Sequence, residues 1–450
     1  MKKTDNKRKT GKLIVVILLL AILGMVSTGQ LKRMIHKTDR TITVGVFSDS
    51  YWGVQNGYAY QIIDDAIRQF EAAHADIKVN YVSGIMKSDY PEWLSQQLLA
   101  KTAPDVFFVL GSDLGDLSQI GALKKLDTYI EKDPSLLLDD YYEPALHAGQ
   151  YMGTQYAMPY ECAPKLMFVN KTILDQEGID MPKENWTWED FYRICQLVTK
   201  DTDGNGTIDQ FGVTGYTWKN AFVENSVVLF DADGGKCSLN DEKVVASIQF
   251  LERLNSLVSG YDVTAKEFDN GKVVFMPMSF SEYRAYKSYP LSIKKYAGFE
   301  WDCVEMPAGP SGDNCSELDT LLVGMNAETT QEKLAWDFIK LLSGDARIQA
   351  KIFDYSEGVS VLKQVTESEE TELVLEQDSG AHVNMSTKIL HDVLEHAVTP
   401  PTFRGYEEAM DQVDRAVQSV MDDNKNISMD LIVKNREINK YLKNMQYYSE

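Results

Sequence analysis

The chain has 450 residues, with 45 Lys and Arg against 67 Asp and Glu and a formal net charge of −22. Its 44% hydrophobic and 25% charged residues are the balance of a folded globular protein and exclude wholesale disorder, and its length is ample for two or three lobes. Residues 41–450 carry 35 bases against 65 acids, a net of −30 that repels phosphate backbones and excludes nucleic acid as a partner.

Bases crowd between Lys2 and Lys12, ahead of the uncharged apolar run Leu13–Val26. A basic stretch before an apolar run of this size is a secretory signal, and the positive-inside rule sends everything after it out of the cytoplasm. No A-x-A site follows, so the expectation is an uncleaved signal anchor at about 13–26, within an N-terminal tail and linker of residues 1–40; cleaved export is the alternative. No cysteine near residues 20–30 offers a lipid attachment point.

Residues 41–47 alternate as a strand, and Ile62, Ile63, Ala66, Ile67 and Phe70 fall at helical spacing. A strand at Ile77–Val82, a helix around Glu92–Ala100 and a strand at Asp105–Leu110 continue the alternation. Such βαβ order predicts an α/β fold with a mainly parallel sheet, ligands binding beyond the carboxyl ends of its strands. The polar loops 48–52 and 111–113 occupy such ends. Thr187 reads as the N-cap of a helix with acids in its first turn. Gln331–Phe353 and the stretch from Tyr406 onward are helical in pattern, and the acid-rich 367–376 segment is a surface loop or helix.

Asp201, Asp203, Asn205, Thr207 and Asp209 match the front of a calcium loop, in which alternate residues of a tight turn supply oxygens to a hard cation. Position twelve is Gly212 instead of a bidentate Glu, so the alternatives are a structural calcium site or a turn held by its own side chains. The five cysteines show no C-x-x-C spacing; free buried thiols are expected, with a Cys303–Cys315 pair as the alternative. His391, Glu395 and His396 are misspaced for a zinc protease, and Ser292 with Lys295 lacks the partner motifs of an acyl-serine enzyme. No catalytic constellation emerges, and no cofactor is required. Tyr51, Trp52, Tyr160, Trp218, Tyr283, Phe403 and Tyr406 fall in turns, and rings beside carboxylates suit the apolar faces and hydroxyl edges of sugars.

Motifs in five regions, 153–218, 271–283, 304–312, 321–344 and 400–413, carry a family resemblance in order. Gly153–Leu174 (GTQYAMPYECAPKLMFVNKTIL), Gly178–Phe191 and Thr199–Trp218 resemble the family 1 extracellular solute-binding proteins of ABC importers. So do Gly271–Tyr283 with Val304–Gly312, then Leu321–Gly344, then Pro400–Val413 (PPTFRGYEEAMDQV). The resemblance implies a two-lobed periplasmic-binding-protein type II-like fold with discontinuous lobes and a central cleft. Lobe 1 would be 41–161 plus 277–322, and lobe 2 would be 162–276 plus 323–450. It implies a monomer that binds a carbohydrate, closes on it, and delivers it to membrane permease subunits at the outer face of the cytoplasmic membrane. The implied ligand-binding residues are Trp52, Asp113, Tyr160, Glu161, Trp218, Ser279, Tyr283, Phe403 and Arg404. Rings would stack on sugar faces, while Asp113, Glu161 and Arg404 would take hydroxyls. A sensory or adhesive glycan- or peptide-binding module is the alternative without transport, and a hydrolase using Asp113 and Glu161 the remaining one.

Overall fold

The computed structural model describes residues 40–53, 58, 60–258, 260–285, 298–379, 385–422 and 426–447. The signal anchor expected at 13–26, and Ser292 with Lys295, lie outside the described residues. Strand β1 (Arg40–Gly45) buries Ile42 and Val44 and turns its threonines outward. Helix α1 (Gln61–Ala73) buries Ile62, Ile63, Ala66 and Phe70, the stripe its spacing dictates. Strand β2 (Ile77–Tyr81), helix α2 (Tyr90–Ala100), strand β3 (Val106–Val109) and the short helix α3 (Leu114–Gln119) complete the first run.

The long strand β4 (Ala157–Asn170) ties the molecule together, because its two halves serve different ends of the sheet. Helix α4 (Trp188–Val198), opened by the reciprocal Thr187–Asp190 capping box, and strand β5 (Phe211–Val213) follow it. Next come helix α5 (Trp218–Glu224), strand β6 (Val273–Ser279), helix α6 (Phe280–Ala285) and strand β7 (Trp301–Val304). Strand β8 (Leu318–Met325) pairs antiparallel with β3 and with residues 157–164 of β4. Strands β6 and β7 pair with the later half of β4, from Lys165 and Met167 onward. Pairing is parallel in β1–β2, β1–β3 and β5–β6, and antiparallel along β4 and β8. The expected mainly parallel sheet is therefore mixed, because the strands that cross between the halves return against the βαβ direction.

The remaining elements divide between two cores. Helices α7 (Glu332–Gly344) and α8 (Ala346–Tyr355) interrupt the predicted Gln331–Phe353 helix at Asp345. That carboxylate caps α8 by accepting from the backbone N–H groups of Arg347 and Ile348. Strand β9 (Val359–Ser360) and helix α9 (Thr387–Glu395) follow, then helix α10 (Tyr406–Asp422) and helix α11 (Ile427–Tyr447). Phe338 of α7 meets Phe70 of α1 edge-on at 5.2 Å, and the 334–394 side chains share one core with β1–β3. The other core joins Phe191, Trp188, Ile248 and Phe275 to Val413 and Val417 of α10. This packing departs from the expected lobe boundaries: residues 334–394 pack with the first lobe, not the second, because β8 carries the chain back beside β3. In the same way β6 and β7 belong to the second half of the sheet. All five cysteines are buried and free, with no Cys303–Cys315 bridge.

Candidate functional site: a groove between the two cores

A groove opens where elements of both cores approach. One compartment, about 290 Å³, is walled by Tyr51, Lys87 and Ser112 from the first core and by Tyr406, Glu407 and Met410 from the second. The crossing segments 317–320 and 399–402 line it as well. A second compartment, about 750 Å³, shares Lys219, Glu317, Thr399–Thr402, Tyr406 and Met410 with the first, so the two are continuous. It extends past Trp218, Phe222 and Val227–Phe230 to the Gln150–Gln155 hairpin.

The polar compartment is organised around Tyr51. Its hydroxyl donates to Asp319 Oδ1 at 2.7 Å, while Lys87 Nζ sits 4.3 Å above its ring and donates to the Tyr51 carbonyl. Burial, then the Asp319 charge, pushes the phenol well above its ordinary pKa, so it stays a neutral donor. Asp113, on the turn that follows β3, has its carboxyl raised to about 6 by burial, with the charges of Asp116 and Glu407 adding to the rise and Ser112 opposing it. Glu407 is likewise raised, mainly by burial, against the opposing charge of Lys219. Carboxylates from both cores thus face the groove together with Lys87 and Lys219.

The residues expected from the sequence separate into groups. Trp218 lines the larger compartment, with its indole fixed by a 2.9 Å bond from Nε1 to Asp414 Oδ1. Asp113 stands beside the groove-lining Gly111 and Ser112. Trp52 lies edge-on to Tyr51 at 4.7 Å and turns inward. Its Nε1 and a Glu161 oxygen both crowd the space above Gly358, at 3.0 and 2.8 Å from where a Cβ would sit.

Glu161 is 4% exposed and accepts from Ser356 Oγ. Burial raises its carboxyl to about 7, with Glu357 adding to the rise and Arg284 opposing it. It lines neither compartment, since its side chain is directed at the 356–358 turn that precedes β9. Tyr160, on the opposite face of the same strand, packs tilted against Phe108 with ring centroids 5.1 Å apart inside the core and does not reach the groove. Tyr283 is packed among Phe168, Phe280 and Trp301, and Ser279 caps α6 through Glu282, 2.7 Å from the Ser279 N–H. Neither lines the groove. The Phe403 ring is buried against Phe230 and Tyr406, while its backbone crosses Gly115 of α3 so closely that a Cβ there would meet Phe403 C at 2.9 Å. Arg404 is exposed beside Asp116, outside both compartments. Tyr51, Lys87, Lys219, Asp319 and Glu407 line the groove without having been singled out as binding residues. The adjacent aromatic pair Tyr51-Trp52 was the signal for the first of them.

In the Asp201–Asp209 loop the side chains are consumed by the turn itself. Asp201 accepts from the N–H groups of Gly204 at 2.8 Å and Gly206 at 2.6 Å, Asn205 Oδ1 from Thr207 N at 2.8 Å, and Asp209 from Thr202 N at 2.8 Å. Those amides hold the Asp201 carboxyl below its ordinary pKa. Among the described residues no group of three acidic, His or Cys side chains converges as a metal site.

A two-lobed mixed α/β protein with a groove between its halves is a solute-binding architecture, and the comparisons agree. The model of the bacterial extracellular solute-binding protein family matches residues 53–347, and the chain belongs to that family. It is similar to the sn-glycerol-3-phosphate-binding periplasmic protein UgpB of Agrobacterium fabrum, 21% identical over 216 residues, 46% of this chain and 48% of that one. The chain spans about half the length of the curated relatives it matches, from 24% to 62%. Its fold is that of the sugar-binding protein MalE from Xanthomonas citri, with a TM-score of 0.73 at 14% identity over 91% of this chain and 98% of that one. The cyclic α-maltosyl-1,6-maltose binding protein from Arthrobacter globiformis matches at a TM-score of 0.73 and 17% identity, covering 90% and 99%.

Proposed function

We propose that the protein captures a carbohydrate, an oligosaccharide in the first instance, in the groove between its cores and passes it to the permease of an ABC importer. The observation that carries this reading is the two-sided groove itself. Tyr51 and Lys87 from one core and Trp218, Lys219, Tyr406 and Glu407 from the other border one continuous space. A solute touching both walls binds the closed arrangement better than the open one and shifts the population toward it. Aromatic faces beside carboxylates, lysines and a neutral phenol suit a polyhydroxylated ring. Sugar-binding relatives of the same fold support the same ligand class. The protein acts by binding, as a monomer, at the outer face of the cytoplasmic membrane, with Leu13–Val26 as its tether. Thermal unfolding against a panel of mono- and oligosaccharides tests the reading. A ligand at about 100 times its Kd adds roughly 2.7 kcal/mol, a visible rise in midpoint confined to one glycan class. A panel with no shift sinks the carbohydrate assignment. Calcium added alone is expected to leave the midpoint unchanged, since the Asp201–Asp209 oxygens are already paired.

A further inference from the structure

The two compartments differ in chemistry. The smaller one holds Tyr51, Asp319, Lys87, Ser112 and Glu407. The larger is walled by Val227, Val228, Leu229, Phe222 and Met152, and of its polar side chains not shared with the smaller one Trp218 is bonded to Asp414, His147 lies 3.6 Å from Glu143, and Gln150 is the third. The aliphatic and thioether side chains of this wall, unlike the rings of Trp218, Phe222 and Tyr406 that also line the compartment, offer no flat face to a sugar's C–H side and leave its hydroxyls without partners.

The apolar character is built in against local preference. Met152 sits at φ 51°, followed by Gly153 at φ 74°, in the two-residue turn of the Gln150–Gln155 hairpin. Asn-Gly is the favoured pair for such a turn, and a long apolar side chain at positive φ is uncommon. Met152 is nonetheless 60% exposed, and Val228, on the far wall, is 75% exposed. An outlier of this kind, facing a cavity with a second bare aliphatic group, points to a ligand for that space.

We propose that the larger compartment receives an apolar substituent of the solute, so that the cargo is a glycan bearing an alkyl, acyl or aryl group. The sugar lies in the polar compartment and the substituent runs past Met410 into the larger one. This rests on the carbohydrate reading above and narrows it. The occupant follows from continuity: a solute held at Tyr406 and Met410 borders both spaces at once.

Matched methyl and octyl glycosides of glucose, galactose, mannose and maltose test the inference on the full chain, with affinity read by calorimetry below the micelle concentration of each octyl compound. Each buried methylene is worth roughly fourfold in affinity. The octyl member of the bound pair is therefore expected to bind at least about tenfold tighter, with a more negative heat-capacity change. In the double variant Met152→Asn, Val228→Thr, in which Asn-Gly keeps the turn and Thr the shape of Val228, the octyl-to-methyl ratio falls toward one. Equal affinity for the two members of the bound pair overturns the inference and leaves the carbohydrate reading standing. A ratio unmoved by the double variant overturns the assignment to this compartment. Binding of neither member of any pair overturns the carbohydrate reading and this inference with it.

Discussion

At the scale of single residues, Glu161 is a carboxylate whose environment departs far from the ordinary one. It is buried beside Glu357, with Ser356 and Arg284 as partial compensation, and its pKa is raised from 4.5 to about 7. A carboxyl raised by folding binds its proton more tightly in the native state. Its contribution is therefore full below the unfolded value, declines as pH rises through that window and is lost above about 7. Glu161→Gln keeps an acceptor for Ser356 and removes the buried charge. Denaturant unfolding of the variant should gain on the parent as pH rises from 5 to 8; a difference constant across that range would show that the carboxylate is not held neutral. Tyr51 and Trp52 illustrate what the residue scale conceals. The sequence marks an aromatic pair in a strand-end loop, but consecutive side chains point to different sides, and only the packing of Trp52 above Gly358 decides which one reaches the groove.

At the scale of elements, β4 joins both halves and Gln349 of α8 anchors it. The Gln349 amide donates to the Tyr160 carbonyl at 2.8 Å and the Leu342 carbonyl at 2.7 Å, and accepts from Ser360 Oγ at 2.8 Å. Gln349→Leu strands those buried groups and should cost about 3 kcal/mol or more, measurable as a lowered urea midpoint at unchanged m-value. The late crossing at 399–405 is held from the first core by Thr402 Oγ1 donating to the Gln150 carbonyl at 2.7 Å and by the close approach at Gly115. Gly115→Ala drives a methyl into the Phe403 backbone and should destabilise by roughly 1–3 kcal/mol. A calorimetric midpoint equal to the parent's would refute the tight crossing. The helices were legible because their apolar spacing is local; Ile62, Ile63, Ala66 and Phe70 line up in the sequence as they do on α1. The direction of β8, and hence the company kept by α7 and α8, was not, because strand direction depends on where the chain has already been.

At the scale of the whole molecule, the acidic body and the groove govern behaviour together. A net of −30 over residues 41–450 is self-repulsion that added salt screens. The thermal midpoint should rise between about 10 and 150 mM sodium chloride, over which the Debye length shortens from roughly 30 to 8 Å. A flat profile would mean that local pairs such as Lys340–Asp133, 2.6 Å apart, already neutralise the surface.

By itself the sequence determined the α/β class, the helix faces, the Thr187 cap and the family, because each depends on neighbours within a few residues or on motif order along the chain. It marked Trp218 and Asp113, which do line and flank the groove, although Trp218 opens helix α5 where a turn was expected. Only the tertiary structure decided that Tyr160 and Tyr283 are core and that Glu161 is buried against the 356–358 turn. It also brought Tyr51, Lys87, Lys219, Asp319 and Glu407 to the same groove. Those facts turn on which chain segments, hundreds of residues apart, come to lie within hydrogen-bonding distance. Tyr51 and Asp319 meet across 268 residues, a separation no local pattern spans.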